Sequence, residues 1–205
     1  MALTQIKSPI KVKGDNSKDN LGLVHVVTGD GKGKTTSSLG LALRSIGNNF
    51  RVHMIQFLKS GFTGELASAR KLGFEIEQFG VDALKEKQKQ KSLEEFQENK
   101  GTFVFNPDIE EKDAAMQGWE HAKKIIKSGD YDVVILDEIN CVLYKQLIPL
   151  EEVLEIVKNH GKVELIFTGR DAPKELMEAA DYVSVINRVK HPWQKGIVAR
   201  RGIEY

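Results

Sequence analysis

Apolar residues along this chain follow two rhythms that alternate from one end to the other. Residues 23–27, 51–58, 74–79, 131–138, 163–167 and 182–186 carry short apolar runs rich in Val, Ile and Phe, the composition of strands covered on both faces. Residues 37–44, 65–72, 108–128 and 149–159 instead bring apolar side chains round every three or four positions, the interval of one helix face. Strand and helix taking turns predicts parallel βαβ units. The expected fold class is therefore α/β, three layers with a mostly parallel central sheet.

Three stretches break the rhythm. Residues 1–20 are polar, lysine-bearing and without period, and read as a flexible N-terminal arm. Residues 81–100 turn to lysine, glutamine and glutamate with Leu84, Leu93 and Phe96 as the main apolar points; this charged insertion reads as an exposed helix, either a solvated face or a lid or partner surface. Residues 188–205 show no clear period. With no internal repeat, residues 21–205 are expected to form a single domain, long enough to bury a substantial core.

The first strand and the first helix are joined by Thr28-Gly29-Asp30-Gly31-Lys32-Gly33-Lys34-Thr35-Thr36. Strand, glycine loop and helix in that order are what a phosphate-binding loop requires. Glycines let the backbone turn its N–H groups toward phosphate oxygens, Lys34 supplies charge, and the Thr35 hydroxyl is suited to magnesium. The start of the helix adds partial positive charge. The motif G-x-x-x-x-G-K-[ST] is met at Gly33-Lys34-Thr35 but not at its first position, where Thr28 stands. A second landmark is the strand over 131–138, which ends in Asp137 and Glu138. These acids are predicted at the carboxyl end of a strand neighbouring the first, facing the crevice of the glycine loop, and they are hard oxygen ligands of the kind magnesium prefers. The strand-to-helix turn Thr168-Gly169-Arg170-Asp171-Ala172-Pro173 belongs to the same edge, where Arg170 either binds an anion or pairs with a neighbouring acid.

Composition narrows the partners. The chain has 205 residues, 40% hydrophobic and 29% charged with a net charge of +1, so no overall field argues for nucleic acid. Cys141 is the sole cysteine and cannot form an intrachain disulfide; no secretory signal or bilayer-length apolar run is present, and a cytoplasmic protein is expected. The five histidines lack the short spacings of a zinc site and read as structural or surface residues. His191 is the exception, for which a structural role and a ligand contact both stay open.

Taken in order, Thr28 to Thr36 followed by Arg44 and Gly47, Val134-Ile135-Leu136-Asp137-Glu138, Pro149-Leu150-Glu151-Glu152-Val153, Thr168 to Pro173, Val189-Lys190-His191-Pro192 and Gly202-Ile203-Glu204-Tyr205 resemble the P-loop family of ATP:corrinoid adenosyltransferases over residues 23–205. The resemblance implies transfer of the 5′-deoxyadenosyl group of ATP to the Co(I) centre of a reduced corrinoid, with triphosphate released. It implies a nucleotide held in the reverse sense from ordinary P-loop enzymes, so that C5′ meets the corrinoid. By motif position, Gly29, Asp30, Gly31, Lys32, Gly33, Lys34, Thr35 and Thr36 bind triphosphate. Lys34, Thr35 and Glu138 carry the catalysis, Thr35 and Glu138 hold magnesium, Asp137 acts one layer behind them, and Arg44 and Arg170 contact anion or nucleotide. Phe103 and Phe105 resemble the aromatic segment that strips the lower ligand from cobalt, Phe105 standing where a tryptophan is often found, and the N-terminal arm closes over the corrinoid. An electron donor such as a flavoprotein and a homodimer are further implications. Asp30 departs from the asparagine common in the family and is expected to place extra negative charge near the phosphates. Two other readings remain: a P-loop phosphotransferase or ATPase acting at the γ-phosphate, and a corrinoid-delivery binding protein.

Overall fold

The computed structural model describes residues 17–61, 63–81 and 108–204. Phe103, Phe105, the insertion beyond Val81 and the first sixteen residues of the arm lie outside the described residues. Six strands, β1 (Val24–Thr28), β2 (Val52–Phe57), β3 (Glu75–Phe79), β4 (Val133–Asp137), β5 (Glu164–Thr168) and β6 (Tyr182–Val185), form one sheet in the order β3-β2-β4-β5-β1-β6. Every pairing is parallel. The helices are α1 (Lys34–Ile46), α2 (Gly64–Leu72), α3 (Asp108–Ser128), α4 (Ile139–Tyr144), α5 (Leu150–Asn159) and α6 (Lys174–Ala179). Among the described residues no helix is long and apolar enough to cross a membrane.

The continuous apolar runs fold as strands because alternate side chains enter two separate cores. Val24, Val26, Ile55, Phe57, Val134, Leu136, Leu165 and Phe167 pack under α3, α4, α5 and α6. Their neighbours Met54, Val133, Ile135 and Ile166 face the other way, against Ala42, Leu39 and Ile46 of α1. Among the described residues β6, at the edge of the sheet, pairs only with β1, and all four of its residues are exposed.

Three expectations change. The acidic strand β4 does not neighbour β1, because β5 lies between them. Residues 139–144, which carry no separate helix in the sequence reading, form α4; this six-residue helix leaves the strand directly, after Glu138 turns the chain at a φ of 64°. A helix so short and apolar has neither period nor cap to announce it. At the N-terminus, Ser17–Asn20 belong with the body: Lys18 Nζ meets Asp132 Oδ2 at 2.7 Å, and Lys162 Nζ donates to Asp19 Oδ1 at 2.8 Å.

The approach of α3 to the sheet depends on one missing side chain. A Cβ at Gly118 would lie 2.8 Å from Phe79 Cβ and 2.9 Å from a ring carbon of Phe57. Gly118→Ala is therefore expected to lower stability by about 1–3 kcal/mol through overpacking, outweighing alanine's better helix propensity. A urea melt with an unchanged midpoint would show that α3 shifts freely.

Candidate active site

The loop between β1 and α1 lies directly on the end of β6. Gly31 donates its N–H to Ile186 O at 2.8 Å, and a Cβ at Gly29, where φ is 102°, would come within 2.4 Å of the same oxygen. Only glycine permits this approach. Gly33 is the N-cap of α1, at a φ of 129° and without a side-chain cap, so first-turn amides stay available where Gly33, Lys34, Thr35 and Thr36 line a cavity of about 1190 Å³. Lys34 folds back over the loop and donates to Gly29 O and Gly31 O, each at 2.8 Å. Burial depresses its pKa and the nearby Arg170 cation adds to this, against the opposing pull of Glu138, Cys141 and Asp30. Among the described residues neither Lys34 nor Arg170 forms an ion pair, which leaves both charges for an anion.

Across the sheet, the fully buried Asp137 carboxylate gathers four donors. Oδ1 accepts from Thr35 Oγ1 at 2.8 Å and from Thr168 Oγ1 at 2.6 Å. Oδ2 accepts from Gln56 Nε2 at 3.1 Å and from Lys59 Nζ at 2.7 Å. Burial works against the Lys59 charge, yet Asp137 outweighs it and holds that pKa above its ordinary value. Thr168, at the end of β5, bridges the interval between the glycine loop and β4 and also accepts the Glu138 N–H at 3.2 Å. The two landmarks thus converge on one carboxyl edge although their strands are not adjacent.

With each oxygen of Asp137 already taking two donors, Glu138 is the acid left for a cation. It lines the cavity, and its Oε2 accepts the Cys141 thiol at 3.0 Å. Burial and that bond push the Cys141 pKa up to about 11, so the thiol stays protonated and is no nucleophile at neutral pH.

Asp30, Gly31, Lys32, Arg170 and His191 also line the cavity. The charge of Asp30 is answered within the loop's surroundings: its carboxylate accepts the Arg188 N–H at 3.0 Å and lies 3.3 Å from the Arg188 guanidinium, and the N–H bond leads the causes that lower its pKa. Arg44 is not brought in. It sits in the last turn of α1, ten residues beyond Lys34 and so about 15 Å along the helix, and it does not line the cavity.

Lys59 and Gln56 were not singled out from sequence, while Thr168 and residues 202–204 were named within motifs but given no role of their own. Lys59 follows β2 at the same carboxyl edge that drew attention to Asp137 and Arg170, a placement that could have flagged it. Gln56 and Thr168 are strand residues whose roles depend on strand order. The C-terminal segment returns to the loop, with Lys32 Nζ donating to Ile203 O at 3.3 Å and Gly202, Ile203 and Glu204 lining the cavity. Beyond the loop, Leu39, Leu43, Leu72 and Phe74 continue the wall as an apolar surface.

Residues 20–205 match the model of the family described as ATP:corrinoid adenosyltransferase BtuR/CobO/CobP. The corrinoid adenosyltransferase of Escherichia coli (strain K12) is 32% identical, the alignment covering 98% of this chain and 94% of that protein. Corrinoid adenosyltransferase CobA of Salmonella typhimurium is 31% identical over the same shares, and the corrinoid adenosyltransferase of Pseudomonas aeruginosa is 30% identical over 97% of this chain and 91% of that protein. Among solved structures, domain III of the Thermotoga maritima replication initiation protein DnaA covers 82% of this chain and 55% of its own at 11% identity, with a TM-score of 0.36 that adds nothing to the topology. The chain belongs to the ATP:corrinoid adenosyltransferase family.

The two acids should separate in their effect on folding. Asp137→Asn strands Lys59 beside an amide and is expected to cost about 3 kcal/mol, the lower end for breaking a buried pair. Glu138→Gln, outside that web, should change stability by less than about 1 kcal/mol. Urea denaturation of both variants without nucleotide measures the contrast; equal losses would remove Asp137 from its central place.

Proposed function

We propose that this chain performs its family's ATP-dependent adenosylation of corrinoids by passing the 5′-deoxyadenosyl group to a Co(I) corrinoid. The cobalt electron pair attacks C5′, the cobalt–carbon bond forms as the C5′–O bond breaks, and the bonding pair leaves with inorganic triphosphate. Cobalt is formally oxidised from Co(I) to Co(III). The observation that carries this reading is the meeting of Lys34, Thr35, Glu138 and Arg170 at one cavity whose wall continues into an apolar surface. Its volume of about 1190 Å³ exceeds the usual ~300–1,000 Å³ of a small-molecule pocket, which suits two substrates side by side.

The nucleophile arrives with the substrate, so the protein's task is to align C5′ with cobalt and to stabilise the leaving charge. Lys34, the loop amides and Arg170 act on the triphosphate. Magnesium fits the donor set of the Thr35 hydroxyl and the Glu138 carboxylate, while Asp137 orients Thr35 from behind. When bound, the metal supplies additional neutralisation of triphosphate charge. The reversed nucleotide, the homodimer, the cytoplasmic location and an electron donor such as a flavoprotein belong to the same proposal, as does the role of Phe103 and Phe105 in displacing the lower cobalt ligand.

Incubation with MgATP and chemically reduced corrinoid should yield adenosylated corrinoid in the visible spectrum together with one triphosphate per turnover. Release of ADP or phosphate would instead assign the loop to γ-phosphate chemistry. Lys34→Ala should reduce turnover by about 10²–10³-fold with the fold intact, the loss typical of one electrostatic contact to developing charge. Glu138→Gln should slow the reaction and raise the magnesium concentration required; an unchanged requirement would move the metal role to Asp137. Replacing Phe103 and Phe105 with alanine should damage activity starting from Co(II) far more than activity starting from Co(I), whereas equal losses would mean that the pair serves packing alone.

A further inference from the structure

Away from the nucleotide cavity, His53 of β2, Glu77 of β3 and His121 of α3 bring three ligand atoms within 4.8 Å of one another. Both imidazoles aim Nε2 at the same carboxylate oxygen: His53 lies 2.9 Å from Glu77 Oε2, and His121 meets that atom as well. The cluster has an outer layer. His53 Nδ1 is buried without a hydrogen bond of good geometry but stands 3.2 Å from Glu75 Oε2, and the Tyr131 hydroxyl donates to that oxygen at 2.7 Å. A ligating histidine whose second nitrogen faces a carboxylate is the arrangement that fixes the ring and raises its basicity toward a metal. None of these residues lines the nucleotide cavity.

We propose that His53, Glu77 and His121 form a binding site for a divalent first-row transition ion, zinc being the best match to two imidazoles and one carboxylate. Magnesium and calcium favour all-oxygen sets, which sets this site apart from Thr35 and Glu138. Ligands bonded to zinc at about 2.0–2.1 Å lie about 3.3 Å apart around a tetrahedron, so a small side-chain rotation that frees Glu77 from between the two rings opens the required space. His53 is 1% exposed, whereas Glu77 is 44% and His121 32% exposed, leaving an entry path and a fourth position for water on the Glu77 side. The ion acts as a clamp that joins the edge strand β3 to its neighbour β2 and to the helix α3.

The test uses the full chain, stripped with chelator and dialysed against Zn²⁺ in excess Mg²⁺ so that the nucleotide site is occupied by the competing ion. One Zn²⁺ per chain is expected, with a rise in Tm on binding. Glu77→Gln and His121→Asn, chosen at the partly exposed positions and checked by far-UV circular dichroism, should each weaken Zn²⁺ affinity at least tenfold and abolish the Tm rise. Co²⁺ in place of Zn²⁺ should give visible ligand-field bands in the wild type that are lost in both variants. Absence of stoichiometric Zn²⁺ on the wild type, or Zn²⁺ affinity equal to the wild type in the folded variants, overturns the proposal.

Discussion

The Asp137 carboxylate is the interaction on which the geometry of the site depends. A fully buried acid is costly unless its charge is matched and its lone pairs are filled, and here Lys59 supplies the charge while Thr35, Thr168 and Gln56 complete the shell. Those partners come from β2, the turn after it, the first turn of α1 and the end of β5. One side chain therefore fixes the start of α1 relative to three strands of the sheet. The Thr35 hydroxyl is held by a donor bond to Asp137, so its oxygen lone pairs remain for a cation.

Around that anchor the charges are sorted by whether they are already answered. Lys59 is committed to Asp137 and Arg188 to Asp30, while Lys34 and Arg170 are held near each other without an acid in ion-pair contact. Repulsion between like charges in a partly buried place is relieved by an anion, and the open amides at the start of α1 point the same way. The Asp30–Arg188 pair also changes the meaning of the acidic residue in the loop. Its charge is balanced locally, and it ties the loop to the chain that follows β6.

That chain matters beyond its length. The segment after β6 supplies Arg188 to Asp30, His191 to the cavity wall and the Ile203 carbonyl to Lys32, so residues without any periodicity become part of the surface around the glycine loop. On the opposite side of the sheet order, β3 is held to its surroundings by the polar cluster of His53, Glu77 and His121. An edge strand gains from such a tie because, among the described residues, it has a partner on one side alone.

Local chemistry was legible from residue order, because its causes act over a few positions. Alternating apolar runs identified all six strands, and the glycines, Lys34 and Thr35 identified the loop, since a backbone that must turn and bare its amides admits little else. What depended on distance through space was not. Strand order placed β5 between the two halves of the site and made Thr168 a bridge; helix length carried Arg44 about 15 Å from Lys34 despite its place among the family's residues. His53, Glu77 and His121 are too far apart in sequence to suggest ligands, and only the pairing of β2 with β3 beneath α3 sets them side by side. Sequence specified the groups that turn and bind; packing of the sheet decided which of them meet, because contacts between elements follow from strand order and helix placement, which no local run of residues encodes.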